Sequence, residues 1–238
     1  MTAPLRRAVQ RLSRLLKDLL FPQGRACLLC RQPTRQQSLC SACLETLRRQ
    51  QLSAEEQVLQ MDAALTVCSA FPYAGAARRL VLLLKFEPLE EAGQTLAFHL
   101  ASVLCSRGLT ADVVTWVPMP ARRRRQRGID HGQLLAQEVA ASLNLPCLPL
   151  LRRSAGAQAE QHRLTRAQRL LAAPHAFQPL EGAQASGLRV LLVDDVHTTG
   201  ATVCACAQQL TVMGAVSVLA ATVCRTGAQD ESTKDVLV

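Results

Sequence analysis

Aromatic side chains are scarce in this chain, with one Trp, one Tyr and five Phe among 238 residues, or 3%. That scarcity argues against an extended base-stacking platform, because each stacked base needs its own ring. Lysine is nearly absent as well. Lys17, Lys85 and Lys234 complete the set, so arginine carries most of the formal charge of +9. No apolar stretch approaches the roughly 20 residues of a membrane-spanning helix. The basic N-terminus, MTAPLRRAVQRLSRLLKDLLFP, is punctuated by charges and lacks a signal peptide's apolar core. A cytoplasmic protein without a membrane span is the expectation. No nucleophile-and-base constellation of the Ser/His/Asp kind emerges either.

What is present suffices for a sizeable core. At 49% hydrophobic, the chain suits one α/β domain with a small appendage. Its charge is uneven, +6 over residues 1–60 and +7 over 120–170, with the remaining stretches slightly negative. Basic blocks of this kind attract polyanions, either nucleic acid or a pyrophosphate. The plainer alternative is that Arg serves only as the solubilising residue.

The segment RVLLVDDVHTTGATV, residues 189–203, is the most informative in the chain. Arg189 to Val193 supplies an apolar run fit for a buried parallel strand. Asp194 and Asp195 then fall at the carboxyl end of that strand, where open α/β sheets place ligands. Thr198, Thr199, Gly200, Ala201 and Thr202 form a turn opening a helix, whose outward N–H groups and dipole suit a phosphate. Gly200 allows close backbone approach, and the threonine hydroxyls add donors. A phosphate flanked by two carboxylates makes sense if the ligand also brings hydroxyls or a cation, as a ribose 5-phosphate does. The competing reading is an ordinary strand-to-helix connection with acids at the strand end.

Cys27-Leu-Leu-Cys30 and Cys40-Ser-Ala-Cys43 make two C-x₂-C pairs. Each pair can grip a metal from one tight turn, and four thiolates complete the tetrahedral shell of structural Zn²⁺. Disulfides are the alternative, disfavoured where the compartment keeps thiols reduced. Cys68, Cys105, Cys147, Cys204, Cys206 and Cys224 lie in apolar surroundings and read as small buried hydrophobes.

Elsewhere strands alternate with helices. Ala64 to Phe71 reads as a strand, Gly75 to Phe86 as a helix, Gln94 to Arg107 as a helix and Asp112 to Val117 as a strand. Gly132 to Leu143 follows as a helix, Cys147 to Leu151 as a short strand, residues 152–170 as a basic loop or helix, and GAVSVLAATVC as a last strand. The alternation argues a Rossmann-like parallel sheet. Leu5, Val9, Leu12, Leu16 and Leu19 recur at helical spacing with Arg and Lys on other faces. The resulting layout is an amphipathic helix over 1–25, a zinc-knuckle region over 26–60, the α/β domain over 61–225 and a frayed tail over 226–238.

The strand, paired acids and TTGAT turn resemble the phosphoribosyl pyrophosphate (PRPP) signature of type I phosphoribosyltransferases. Further segments sharpen this: YAGAARRLVLLLKF, VPMPARRRRQRG, AEQHRLTRAQR and the cysteine knuckle. Together they resemble the ComF family of competence-associated, phosphoribosyltransferase-like proteins over about residues 20–225. Pro118, Pro120, Arg127, Gly128, Gln161, Leu164 and Arg169 match that family's pattern. RGFNQ is replaced by Arg127-Gly128-Ile129-Asp130-His131, and Ala172 stands where Asn is usual. The resemblance implies a type I phosphoribosyltransferase fold with an N-terminal zinc knuckle. It also implies that Asp194 and Asp195 hold the ribose hydroxyls, with or without Mg²⁺, and that Thr198 to Thr202 hold the 5-phosphate. Arg122 and Arg123, after the Pro-bounded turn, are then candidates for the pyrophosphate, as is Lys85, which could equally be a helix C-terminal cation. Arg163, Arg166 and Arg169 would sit in a lid over Gln161 to Arg169. His131 and His197 fall near the site and could move a proton. The implied role is DNA uptake linked to nucleotide metabolism, with PRPP, single-stranded DNA and a competence helicase as partners. The alternative is a non-catalytic zinc-containing DNA-binding or helicase-adaptor protein whose PRPP site is regulatory or vestigial.

Overall fold

The computed structural model of the chain describes residues 25–34, 38–52, 56–60, 64–87, 89–154 and 176–227. The chain divides into two compact units, Met1–Leu44 and Glu45–Val238. In the first, β1 (Arg25–Ala26) pairs antiparallel with β2 (Pro33–Thr34). The turn between them closes through Cys27 N–H donating to the Gln32 carbonyl and Arg31 N–H donating to that of Cys27. Helix α1, Ser41–Arg49, follows.

The second unit is built on a five-stranded sheet in the order β3-β4-β9-β8-β5. β3 (Glu56–Gln60) runs antiparallel to β4 (Ala64–Pro72). The other pairings, of β4 with β9 (Ser217–Arg225), of β9 with β8 (Arg189–His197) and of β8 with β5 (Val113–Trp116), are all parallel. Helices α2 (Gly75–Phe86) and α3 (Glu90–Ser106) connect β4 to β5. Helices α4 (Ala121–Arg127) and α5 (His131–Leu143), with the antiparallel pair β6 (Leu151–Arg153) and β7 (Phe177–Pro179), lie between β5 and β8. Helix α6, Ala201–Val212, joins β8 to β9. This is the α/β parallel sheet with helices expected from the alternation.

Strand pleating sets the layers. Val67, Val113, Val190, Leu192 and Ala220 gather in one cluster with Val203, Cys206 and Leu210 of α6. Leu191 and Val193 alternate to the other face, the side on which α3 and α5 meet the sheet. Beneath its carboxyl end the sheet carries a short polar chain. Ser69 Oγ lies 2.8 Å from Thr222 Oγ1, which lies 2.9 Å from His197 Nδ1, all three residues being buried.

Several local expectations need correction. The strand read as Arg189 to Val193 continues through the acids to His197, because β9 pairs with it as far as Arg225. Cys147 makes only an isolated bridge to Val114, and the strand in this region is Leu151–Arg153, fixed by pairing with Phe177–Pro179. Arg152 and Arg153 therefore belong to a strand. The helix read from Gln94 starts earlier, at Glu90. Strand β3 had no counterpart in the sequence reading. Of the six cysteines read as buried, Cys105 is exposed and Cys147 half-buried. The amphipathic N-terminal helix, the segment from Gln161 to Arg169 and the tail from residue 228 lie outside the described residues.

Leu191 is fully buried at the centre of β8. Leu191→Ala is expected to cost about 2–5 kcal/mol, through lost transfer free energy plus the cavity left behind. Urea titration with matched m-values checks this.

Candidate functional site at the carboxyl end of the sheet

The site begins with a mismatch of strand lengths. β5 pairs with β8 only as far as Trp116 opposite Val193, while β8 runs on to His197 with β9 alone. Asp194 and Asp195 sit where the neighbouring strand has stopped, at the carboxyl end of the sheet, the place at which open α/β sheets bind ligands. Consecutive strand residues face opposite sides of a sheet, so the two carboxylates meet different company.

Asp195 Oδ2 pairs at 3.0 Å with Lys85 Nζ, both side chains being mostly shielded from solvent. Lys85 comes from the last turn of α2, so the cation read as either a ligand residue or a helix-end charge is held against the acid pair. Arg127 and His131 also feel the Asp195 charge. Asp194 lies on the Arg153 and Cys206 side, and its Oδ1 accepts from the Asp195 N–H at 2.8 Å. Burial and then the neighbouring Asp195 carboxylate push the Asp194 carboxyl up to about 8, against the pull of Lys85 and Arg153.

The turn after β8 is shaped by one glycine. Gly200 takes φ +77° at the N-cap of α6, and a Cβ there would run into the Leu59 side chain. Gly200 has no side chain with which to cap the helix, and N–H groups of a first turn have no partner within their own helix. Thr199 Oγ1 lies 3.4 Å from Ala201 N, and Thr198, Thr199 and Thr202 are exposed. Of the five residues expected to cradle a phosphate, the three threonines are exposed, while Gly200 is buried and Ala201 half-buried.

The arginine cluster is a helix, not a loop. Arg122, Arg123, Arg124 and Arg125 are all exposed on α4. Arg123 lies within electrostatic range of both Arg127 and Arg153, which with Lys85 feel the acids. Arg127 is half-buried, with its guanidinium 5.5 Å from the Phe86 ring centre and its Nη1 3.3 Å from His131 Nδ1. His131 is fully buried. Burial first, then Arg127, lowers it to about 4, which makes it a neutral acceptor for Arg127. His197 is lowered to about 4 by burial and then Arg225, and it belongs to the Ser69–Thr222 chain. Asp130 caps α5, accepting from Gln133 N–H at 3.2 Å. Asp and Asn cap equally well, so the RGIDH variant keeps the helix start.

Arg153 is the contributor that sequence reasoning missed. It stacks over Phe177 at 5.0 Å and balances Asp194 from β6. Its only signal was position within a basic stretch, since its approach to the acid depends on the β6–β7 pairing.

The cysteines form a separate site in the first unit. The thiol sulfurs of Cys27, Cys30, Cys40 and Cys43 lie within 4.8 Å of one another, an arrangement that could hold a metal ion such as zinc. Cys30 and Cys40 are 3.6 Å apart at sulfur and unbonded. That is close to the roughly 3.8 Å edge of a tetrahedron with 2.3 Å zinc–sulfur bonds. Burial opposes Cys27 ionisation, but the N–H groups of Cys30, Cys40 and Leu29 outweigh it and bring the thiol to about 6. Cys43 is pushed up to about 12 by burial and then by its neighbouring thiols. Four thiolates cannot coexist here without a cation, which a bound metal supplies.

Fold and site together define an α/β protein whose parallel sheet ends in an acid pair balanced by Lys and Arg, followed by a Thr-rich turn into a helix. No family model matches the chain. Among curated proteins, it is 32% identical over 206 residues to the DNA utilization protein YhgH of Salmonella typhimurium, covering 84% of this chain and 90% of that one. The chain belongs to the family of the DNA utilization protein YhgH. Solved structures similar to it include the glutamine PRPP amidotransferase of B. subtilis, at 23% identity and TM-score 0.41, over 56% of this chain and 26% of that one. Another is the adenine phosphoribosyltransferase of Leishmania donovani, at 16% identity and TM-score 0.40, over 77% of this chain and 68% of that one.

Two measurements test the site. Protein prepared without chelator is expected to carry about one metal ion per chain. Cys27→Ser or Cys40→Ser should lose that ion by elemental analysis and loosen the first unit, since binding and local folding are linked. The acid pair gives a pH test. The unfolded Asp carboxyl titrates near 3.9, whereas folded Asp194 holds its proton to about 8. Between those values the native state binds more protons than the unfolded one, so stability falls as pH rises. Asp194→Asn is expected to flatten that decline in denaturant titrations from pH 5 to 8 without added divalent cation. An unchanged slope would count against the buried carboxyl.

Proposed function

We propose that the protein binds PRPP at the carboxyl end of its sheet and serves DNA uptake in the manner of the ComF family. The observation that carries this reading is the Lys85–Asp195 pair next to Asp194, at the strand end from which the turn Thr198, Thr199, Gly200, Ala201 and Thr202 leads into α6. Asp194 and Asp195 would take the ribose hydroxyls, and the turn would take the 5-phosphate through backbone N–H and threonine hydroxyls. Mg²⁺ bound with PRPP would bridge the ligand's oxygens and the carboxylates. Lys85, Arg123, Arg127 and Arg153 would balance the pyrophosphate. Arg122, exposed beside Arg123 on α4, is a further candidate for the pyrophosphate. The cysteine cluster is read as a structural zinc site, and its free thiols suit the reducing conditions of the cytoplasm.

A second reading draws on the exposed run Arg122 to Arg125. Four solvent-facing guanidiniums on one short helix suit a polyanion, which favours a DNA contact or a helicase partner with PRPP as a regulator. The relatives' name, DNA utilization protein, supports the link to DNA under either reading.

Calorimetric titration with PRPP and Mg²⁺ decides the first reading. Binding is expected in the parent protein, and Asp194→Asn with Asp195→Asn should abolish it with the fold intact. Unchanged affinity in that double variant would sink the assignment. Arg123→Ala should weaken PRPP more than single-stranded DNA. Arg122→Ala should do likewise, whereas under the second reading it should act mainly on DNA, reducing the salt slope by roughly 0.7 per lost phosphate contact.

A further inference from the structure

A second cleft, of about 650 Å³, opens beside β5, the edge strand of the sheet. Trp116, Met119, Arg124, Gln133, Gln137 and Arg152 contribute to its walls. The volume is within the range of small-molecule sites. Of the cations around the acid pair, Arg153 alone also lines it.

Its chemistry differs from that of the acid site. Gln133 and Gln137 are one turn apart on α5, so their amides share a face. Each amide offers two donors and an acceptor, the complement of a heterocycle's edge. Trp116 is the chain's one tryptophan, half-buried at the end of β5. Its indole lies close against Gly132, where a Cβ would stand 3.5 Å from Trp116 Cδ1 and 3.2 Å from the Val117 carbonyl. The glycine lets the helix start sit tightly behind the ring. An aromatic face so held is a stacking surface for a base. Arg124 and Arg152 stand exposed at the same cleft, and guanidinium groups match phosphate oxygens in pairs. An aromatic face, paired amides and two guanidiniums answer in turn the plane, the edge and the phosphate of a nucleotide.

We infer that this cleft is a nucleotide-binding site, distinct from the acid site. It would take a nucleoside 5′-phosphate with the base on Trp116, the base edge toward Gln133 and Gln137, and the phosphate toward Arg124 and Arg152. PRPP carries no base, so the inference stands independently of the function proposed above. The same chemistry is offered by a free nucleotide and by the end of a DNA single strand.

The single tryptophan provides the readout. Trp116 fluorescence of the full chain is followed while dAMP, or a 5′-phosphorylated oligothymidylate, is added, with calorimetry on the same samples. Saturable quenching by either probe is expected. Response to dAMP alone marks a free nucleotide, response to the oligonucleotide alone marks a strand end, and both support the site. Gln133→Leu with Gln137→Leu, and separately the exposed Arg152→Ala, should each weaken the response by roughly tenfold, about what one charge-assisted or two neutral hydrogen bonds contribute. Circular dichroism confirms that these variants fold. Asp194→Asn with Asp195→Asn should leave the midpoint unchanged. Silence of both methods with both probes at millimolar concentration overturns the inference. So does binding that survives the cleft variants, or binding lost in the acid double variant, which would place the ligand at the other site.

Discussion

β8 runs on past the point where β5 stops, and the site depends on that difference in length. Up to Val193 the strand is hydrogen-bonded on both sides and buried by Leu191 and Leu192. Beyond it only β9 pairs with the strand. A carboxylate placed earlier in β8 would be sealed in the core at a cost of several kcal/mol. One placed beyond His197 would lose the rigid strand that aims it. Asp194 and Asp195 occupy the short interval in which a charge can be both held and reached.

Pleating then separates the two acids. Asp195 meets Lys85, Arg127 and His131 on one side, and Asp194 meets Arg153 and Cys206 on the other. The site therefore contains one carboxylate already neutralised by an ion pair and one that keeps its proton well above the usual range. A cation or a polyol arriving there finds acceptors on two sides. An anion finds the helix start at Gly200 and the cations of α2, α4 and β6. The arrangement favours a ligand carrying both kinds of group, and it disfavours a simple dicarboxylate or a purely cationic one.

The metal-competent cysteine cluster follows a different logic. Its geometry is set within one small unit by a turn between two-residue strands and by the start of α1. A metal ion held there would cross-link the turn to the helix start. A nine-residue spacing between the pairs is enough to bring four sulfurs together, which is why this site was legible from spacing alone.

The sequence by itself determined what depends on neighbours along the chain. The apolar run before the acids, the C-x₂-C pairs and the span Gly75–Phe86 of α2 are all local patterns, and each appears in the structure where expected. Lys85 was visible as a candidate for the same reason, standing at a helix end. Tertiary structure decided what depends on pairing across distance. The continuation of β8 to His197 follows from register with β9. The recruitment of Arg153 follows from β6 pairing with β7, and the burial of His131 and His197 from packing that no period of residues announces. The cleft beside Trp116 joins β5, α4, α5 and β6, four elements brought together by closure of the fold. Spacing encodes local geometry because a turn or a strand has a fixed rise per residue. Contacts between remote elements have no such ruler, so they emerge only when the sheet is assembled.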